Sequence, residues 1–104
     1  MTIYYATKKL ERILTDIRLI KKYYSNDFAT ICNRLSEMRA ANSLGDIPEV
    51  PPPCRHKLIG NYKDCWGIKY SKNERFIVRP TGEYDINDLS TIKEIIILDL
   101  EDYH

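Results

Sequence analysis

Residues 94–100 read EIIILDL, a run that contains four consecutive aliphatic side chains. An apolar run of this length is typical of a strand that is buried inside a sheet. Upstream of this run, the sequence has a strand-like period in three segments, at 55–59, 65–70 and 75–79. Turn residues separate these segments, at Gly60-Asn61 and at 71–73. The second half of the chain is therefore predicted to be an antiparallel meander of three strands followed by a buried final strand.

The first half of the chain has one strand-like segment and then helical periodicity. Residues 2–6 are mostly β-branched and aromatic, which suits a short strand, and Thr7 can cap a helix that starts near Lys8. Apolar side chains then recur at three- and four-residue steps, at Leu10, Ile13, Leu14 and Ile17, with a brief interruption expected at Asp16. A second amphipathic helix is predicted from residues 25–27 to about Asn42.

Prolines separate the helical half from the meander. Pro48 and the triplet at 51–53 exclude a helix over residues 45–54 and predict an extended polyproline crossover. The predicted fold class is α+β, with an N-terminal strand and two helices packed on a mostly antiparallel sheet of four to five strands. A chain of 104 residues has the size of one domain, so residues 1–104 are assigned to a single domain.

Composition excludes several classes of protein. With 43% hydrophobic and 30% charged residues, the chain is predicted to be folded and globular. It has no apolar run near the roughly 18 to 20 residues that cross a bilayer and no secretory signal pattern, so the cytosol is the expected location. Its three cysteines and two histidines have no metal-ligand spacing, so we predict no disulfide framework, no metal and no other cofactor.

The formal net charge of +1 conceals a segregation of charge along the chain. Residues 1–80 carry fifteen Lys or Arg and eight Asp or Glu, a net of +7, whereas residues 81–104 carry one Lys and seven acids, a net of −6. A basic body suits a polyanionic ligand, because Lys and Arg neutralise phosphates and release counterions. Solvated lysines on helices account for the same charge equally well, and an acidic tail that folds back would cancel part of the field.

The candidate catalytic side chains are Arg75 and the group Asp102, Tyr103 and His104, which follows the predicted last strand. The unperturbed pKa of an imidazole is about 6.5, so a histidine can move a proton at neutral pH. A phenol can also stack on a base, and a carboxylate can orient another group. A guanidinium can bind two phosphate oxygens as charge develops on them. Taken singly, a histidine at a chain terminus is more often a surface residue than a catalytic one, and an exposed arginine on a strand more often has a structural role.

Basic residues form two further groups. Alternation along the strand at 74–79 places Arg75, Ile77 and Arg79 on one face. Arg55, His56 and Lys57 open the meander, with Lys63 in the next turn. For His56 we favour a structural role with a hydrogen bond to the backbone. Trp66, Phe76 and most tyrosines are predicted to pack in the core or on the sheet, and no P-loop, dinucleotide motif or nucleophile elbow occurs.

Four short motifs together resemble the HigB-type toxins of bacterial toxin-antitoxin modules, which belong to the RelE/ParE superfamily. The motifs are HKLxG at 56–60, WGI at 66–68, NxRxI at 73–77 and EDYH at 101–104. Each is weak alone, and their specificity lies in their combined order, above all in the Asp-Tyr-His at the end. With the preceding strand and helices included, the resemblance covers essentially the whole chain.

The resemblance implies a small ribosome-dependent endoribonuclease of the bacterial cytoplasm, an mRNA interferase that works without a metal and inhibits translation. The implied catalytic residues are Arg75, Asp102, Tyr103 and His104. The basic residues that we predict to bind RNA are Arg55, Lys57, Lys63 and Arg79. Relatives often have a basic residue where this chain has Ile59, so Lys57 or Lys63 would have to make that phosphate contact. The implied partner is an antitoxin, HigA-like and with a helix-turn-helix, in a hetero-oligomeric complex.

Two other functions remain open at this point. One is a ParE-like inhibitor of DNA gyrase, which shares the superfamily fold but performs no RNA chemistry, and the terminal Tyr-His argues against it. The other is a non-catalytic regulatory partner in such a module. The sequence has no helix-turn-helix pattern, which a DNA-binding antitoxin commonly carries.

Overall fold

A five-stranded sheet forms the centre of the molecule. The computed structural model describes residues 1–102, with the side chains of residues 1–101. The strands are β1 (Thr2–Tyr5), β2 (His56–Lys57), β3 (Trp66–Lys69), β4 (Glu74–Pro80) and β5 (Glu94–Asp102). Their order in the sheet is β1-β5-β4-β3-β2, with β1 parallel to β5 and every other pair antiparallel. The predicted meander, buried last strand and α+β class are confirmed.

Three helices cover one face of this sheet, namely α1 (Lys8–Leu14), α2 (Ile17–Tyr23) and α3 (Phe28–Ala40). Thr7 caps α1 as predicted, because its hydroxyl accepts a hydrogen bond from Leu10 N at 3.0 Å. The first of the two predicted helices is in fact two. Asp16 ends the continuity by capping α2, where its carboxylate accepts the Arg18 N–H at 2.9 Å. Ile17, predicted to lie on the apolar face, is therefore 66% exposed.

The sequence predicted that the proline segment is extended, and this prediction is wrong for part of the segment. Residues 51–53 form a turn, the Pro51–Pro52 bond is cis, and Cys54 has a φ of 45°. Backbone hydrogen bonds hold the turn, from Cys54 N to Val50 O at 3.2 Å and from Arg55 N to Pro48 O at 2.9 Å. The chain thereby returns to the edge of β3, where Lys69 N donates to Pro53 O.

The sheet packs on both faces. The larger core lies between helices and sheet, and its fully buried members include Leu14, Ile31, Met38, Phe76 and Ile97. We call the opposite side of the sheet the open face. It carries a small apolar cluster of Leu58, Cys65 and Ile77, with Tyr62 and Leu98 packed against it. The predicted alternation of β4 is confirmed, since Phe76 and Val78 belong to the larger core and Ile77 to the open face.

A bulge in β5 changes which side chains reach the open face. Ile77 pairs with Asp99 and Val78 pairs with Ile97, so Leu98 is an extra residue. Simple alternation would place Glu101 on the helix side with Ile97. The extra residue reverses the phase, so that Leu100 packs toward the larger core and Glu101 lies opposite Arg75.

The longest helix described is α3, with 13 residues, and within residues 1–102 no helix has the length and hydropathy that a membrane crossing needs.

Candidate functional site

Arg75 is the centre of a row of polar side chains that crosses the open face. Its Cα pairs with Lys69 on β3 and with Glu101 on β5, so the three side chains leave adjacent strands on the same side. Arg75 Nη2 donates to Glu101 Oε1 at 2.7 Å. The two side chains are only 14% and 25% exposed, so this ion pair is largely shielded from water. The guanidinium is thus held in one position on the face.

His56 contacts the other side of the same guanidinium. Its Nδ1 lies 2.8 Å from the carbonyl oxygen of Cys54, and its Nε2 lies 3.2 Å from Arg75 Nη1. A carbonyl can only accept and a guanidinium can only donate. These two contacts therefore assign the neutral tautomer with the proton on Nδ1 and the lone pair on Nε2 directed at Arg75. The predicted backbone hydrogen bond of His56 is present, and the ring also belongs to the site.

Gly67 makes room for this contact. It lies directly opposite His56 in the β2–β3 pair. A Cβ at position 67 would be 2.7 Å from His56 Cε1 and 3.0 Å from Arg75 Cδ, closer than side chains tolerate. The absence of a side chain on Gly67 therefore allows the imidazole and the guanidinium to meet over β3. A glycine inside a strand-like run, at WGI, was the sequence signal that could have placed His56 beside Arg75.

The charge of Glu101 also acts on Tyr62, from the turn between β2 and β3. The charge of the Glu101 carboxylate is the main cause of a raised pKa of the Tyr62 phenol, followed by burial and by the hydrogen bond that the hydroxyl donates to Glu101. The neighbouring thiol of Cys65 has a raised pKa because it is buried, and the charges of Arg79 and Lys57 offset only part of this effect. Cys65 is therefore a packing residue rather than a nucleophile.

The predicted RNA-binding side chains are not all brought together. Arg79 is exposed on the same face of β4 as Arg75, and Lys63 is exposed after the β2–β3 turn. Arg55 is engaged within the protein, where its Nε donates to Ile47 O at 2.7 Å and its Nη2 is 3.5 Å from Glu49 Oε1. Lys57 lies on the helix side of the edge strand, with its Nζ 4.8 Å from the centre of the Trp66 indole.

Three of the four predicted catalytic residues cannot be placed by their side chains. Tyr103, His104 and the side chain of Asp102 lie outside the described part of the chain. The backbone of Asp102 pairs with Glu74, the residue next to Arg75. Within residues 1–102 no three His, Cys, Asp or Glu side chains are grouped so that they could hold a metal ion.

Comparison with known proteins identifies the fold. No protein-family model matches the sequence, and no curated protein matches it. Among solved structures, the chain is similar to the YoeB/ParE toxin from Agrobacterium tumefaciens, with a TM-score of 0.59 and 10% identity over 100% of both chains. It is also similar to a chain of the YoeB-YefM complex from Staphylococcus aureus, with a TM-score of 0.53 and 14% identity over 100% of this chain and 97% of that one. The protein thus has the fold of these two structures.

Proposed function

We propose that this protein is the toxin of a type II toxin-antitoxin module and that it cleaves mRNA on the ribosome, as a HigB-like member of its superfamily. One observation carries the proposal. On a fold shared along the whole chain with YoeB toxins, Arg75 is held between Glu101 and His56 on the open face, beside the strand that leads to Asp102, Tyr103 and His104.

The proposed reaction is an internal transesterification of RNA. The ribose 2′-oxygen attacks the adjacent phosphorus, a base takes the proton of the 2′-hydroxyl, and the bond from phosphorus to the 5′-oxygen breaks. An acid protonates that leaving oxygen, so the products carry a 2′,3′-cyclic phosphate and a 5′-hydroxyl. No atom from water or from a cofactor enters this step. The ribosome supplies an ordered, single-stranded substrate in its A site.

The catalytic roles follow from the chemistry of the side chains. Arg75 stabilises the negative charge that develops on the phosphorane. His104 serves as the acid or the base, Asp102 positions it or assists, and Tyr103 stacks on a displaced nucleotide. His56 and Glu101 act on Arg75 rather than on RNA, since they contact opposite sides of its guanidinium. They are positioning residues in this proposal.

Of the four basic residues that the sequence predicts to bind RNA, two are better placed to do so than the others. Arg79 and Lys63 are exposed, which supports phosphate contacts from both. Arg55 and Lys57 would reach RNA only from the edge of the sheet, because Arg55 is bonded to Ile47 and Glu49 and Lys57 covers Trp66. We therefore assign to Lys63 the phosphate contact that relatives make at the position of Ile59.

A cognate antitoxin is the proposed partner. A nuclease with an exposed basic surface would bind RNA wherever it met it, so a neutralising protein has to cover that surface or prevent docking to the ribosome. The Staphylococcus aureus relative was solved as a YoeB-YefM complex. By analogy, we expect a hetero-oligomer with a HigA-like protein that carries a helix-turn-helix.

Incubation of the purified protein with a defined mRNA, with and without translating ribosomes, tests the proposal. We expect cuts only in mRNA on the ribosome, and we expect the cut ends to carry a 5′-hydroxyl. Protein that has been treated with EDTA to remove metal should cut equally well. The His104→Ala variant should not cut. Intact mRNA together with inhibited gyrase supercoiling would instead identify a ParE-like poison. Intact mRNA together with active gyrase would exclude both activities and favour a non-catalytic regulatory partner of such a module.

A further inference from the structure

A second basic cavity lies on the helix side of the proline turn, away from Arg75. It has a volume of about 330 Å³, within the range of small-ligand pockets. Its lining includes three cationic side chains, from Arg34, Lys69 and Lys72, and three hydroxyls, from Thr30, Tyr70 and Ser71. The hydroxyls already donate hydrogen bonds within the protein, to Asp27 O and to the Glu74 carboxylate. No carboxylate belongs to the lining. A cavity lined by three cations is suited to an oxyanion.

Arg34 is the unusual member of this lining. It is only 5% exposed, although arginine is almost never buried without full pairing. Its Nη1 contacts Glu37 Oε2 at 2.5 Å. Its Nε is buried and has no hydrogen-bond partner among the described residues. That nitrogen is closed to solvent, but the guanidinium as a whole belongs to the cavity lining, so an anion that enters the cavity would meet this cation.

The nearby carboxylates do not line the cavity. Glu74 accepts hydrogen bonds from the Tyr70 hydroxyl at 3.2 Å and from the Ser71 hydroxyl at 3.3 Å. Asp27 acts on Tyr70 only through its charge. Glu37 is already paired with Arg34 from outside the cavity. Glu37 and Glu74 are therefore engaged, and the lining itself contains cations and no carboxylate.

The cavity is connected to the proposed active site. Cys54 and Lys69 line it and also line a neighbouring cavity of about 380 Å³, whose other walls are Arg55, His56 and Glu49, the last of these paired with Arg55. His56 in turn contacts Arg75, and Lys69 pairs with Arg75 across the strands. Basic side chains thus follow one another around the edge of β3, from Arg75 through Lys69 to Arg34 and Lys72.

We propose that the Arg34 cavity binds a backbone phosphate of the RNA strand whose cleaved phosphate lies at Arg75. This inference rests on the proposed nuclease function for the identity of the ligand. The anion site itself follows from the cavity and from the buried guanidinium. The contact would fix the path of the strand around the edge of β3, and it would contribute to binding rather than to the chemical step.

Two probes test the site. A hexaribonucleotide with 2′-O-methyl groups cannot react, so its affinity reports binding alone, and inorganic phosphate at constant ionic strength reports the anion site alone. We expect phosphate to shift the NMR signals of Thr30 and of residues 70–72 in a saturable way. We expect Lys72→Gln to weaken the RNA about 3- to 10-fold. Lys93→Gln, which removes an exposed charge elsewhere, should change neither.

Lys72 is exposed, so we expect Lys72→Gln to keep the fold. Arg34→Gln alters a buried residue, so it serves as the second variant once its folding has been verified. Unchanged signals with phosphate would overturn the anion site. Phosphate binding with an RNA affinity that Lys72→Gln leaves unaltered would overturn the assignment to RNA. RNA that binds through Lys72 but is never cut on ribosomes would refute the nuclease proposal and leave this site standing.

Discussion

At the scale of single residues, Gly67 leaves the space in which two polar side chains of the site meet. Its missing side chain leaves the space in which His56 Nε2 approaches Arg75 Nη1 to 3.2 Å. A methyl group there would have to displace a ring and an aliphatic stem that are both half-buried. The geometry of the candidate site therefore depends on a residue that carries no functional group.

The first prediction concerns Gly67→Ala. The added methyl group should lower the free energy of unfolding by about 1–3 kcal/mol, as overpacking does, and should reduce cleavage by separating His56 from Arg75. The double variant Gly67→Ala/His56→Ala removes the nearest clash. We expect it to regain most of the stability in thermal unfolding but not the activity. Equal stability of Gly67→Ala and wild type would refute the crowding argument.

At this scale, local patterns predict some contacts of the site and miss others. Alternation along β4 fixes the face of Arg75, because alternation is a local property of a strand. The predicted backbone hydrogen bond of His56 is present, but its contact with Arg75, a residue 19 positions away in sequence, is not predicted. A contact of that kind depends on the pairing of β2, β3 and β4, which no local pattern encodes.

At the scale of elements, the bulge in β5 decides the electrostatics of the open face. The run EIIILDL predicts a buried strand correctly, but a strict period of two would place Glu101 on the helix side with Ile95 and Ile97. The extra residue at Leu98 moves this carboxylate opposite Arg75. Consecutive apolar residues do not indicate which side chain faces which side of the sheet, so the bulge could not be predicted from the sequence.

The hairpin between β3 and β4 carries a second prediction, on pH dependence. Burial, and next the charge of Glu74, raise the pKa of Tyr70 far above its ordinary value near 10. The native state therefore keeps a proton that the unfolded chain releases above that pH. The stabilisation is complete below about pH 10 and is lost as the pH rises, at up to about 1.4 kcal/mol per pH unit for one tyrosine.

Denaturant unfolding between pH 9 and pH 11 measures this slope. We expect stability to fall with pH, and Tyr70→Phe to fall less steeply, although it starts from a lower value because it loses the hydrogen bond to Glu74. Tyr84→Phe, at an exposed position, is the matched control and should keep the slope of the wild type. Parallel curves for wild type and Tyr70→Phe would contradict the assignment.

At the scale of the whole molecule, the segregation of charge has a different meaning in the fold than it has along the chain. The acidic segment after residue 80 is not a tail that lies over a basic body, because it includes β5, which lies between β1 and β4. Of its acids, Glu101 neutralises Arg75, and Glu94 accepts a hydrogen bond from the Thr81 hydroxyl at 3.2 Å. Order along the chain thus predicts net charge but not where opposite charges meet.

The fold class followed from the sequence because helical and strand periods are each set by the side chains of one segment. The number of helices did not follow, because Ile17 continues the apolar spacing while the cap at Asp16 starts a new helix. The resemblance to known toxins depended on motif order and agrees with the fold of the YoeB structures.

The rate of mRNA cleavage on translating ribosomes by Arg75→Ala, measured beside wild type and Arg18→Ala, tests the central claim most directly. Arg18 is an exposed arginine paired with Asp16 on the helix side, so its removal matches the loss of charge without touching the open face. We predict that Arg75→Ala cuts about 100- to 1,000-fold more slowly, as expected when a donor to developing charge is lost, while Arg18→Ala cuts at the rate of the wild type. Equal rates for wild type and a folded Arg75→Ala would contradict the account.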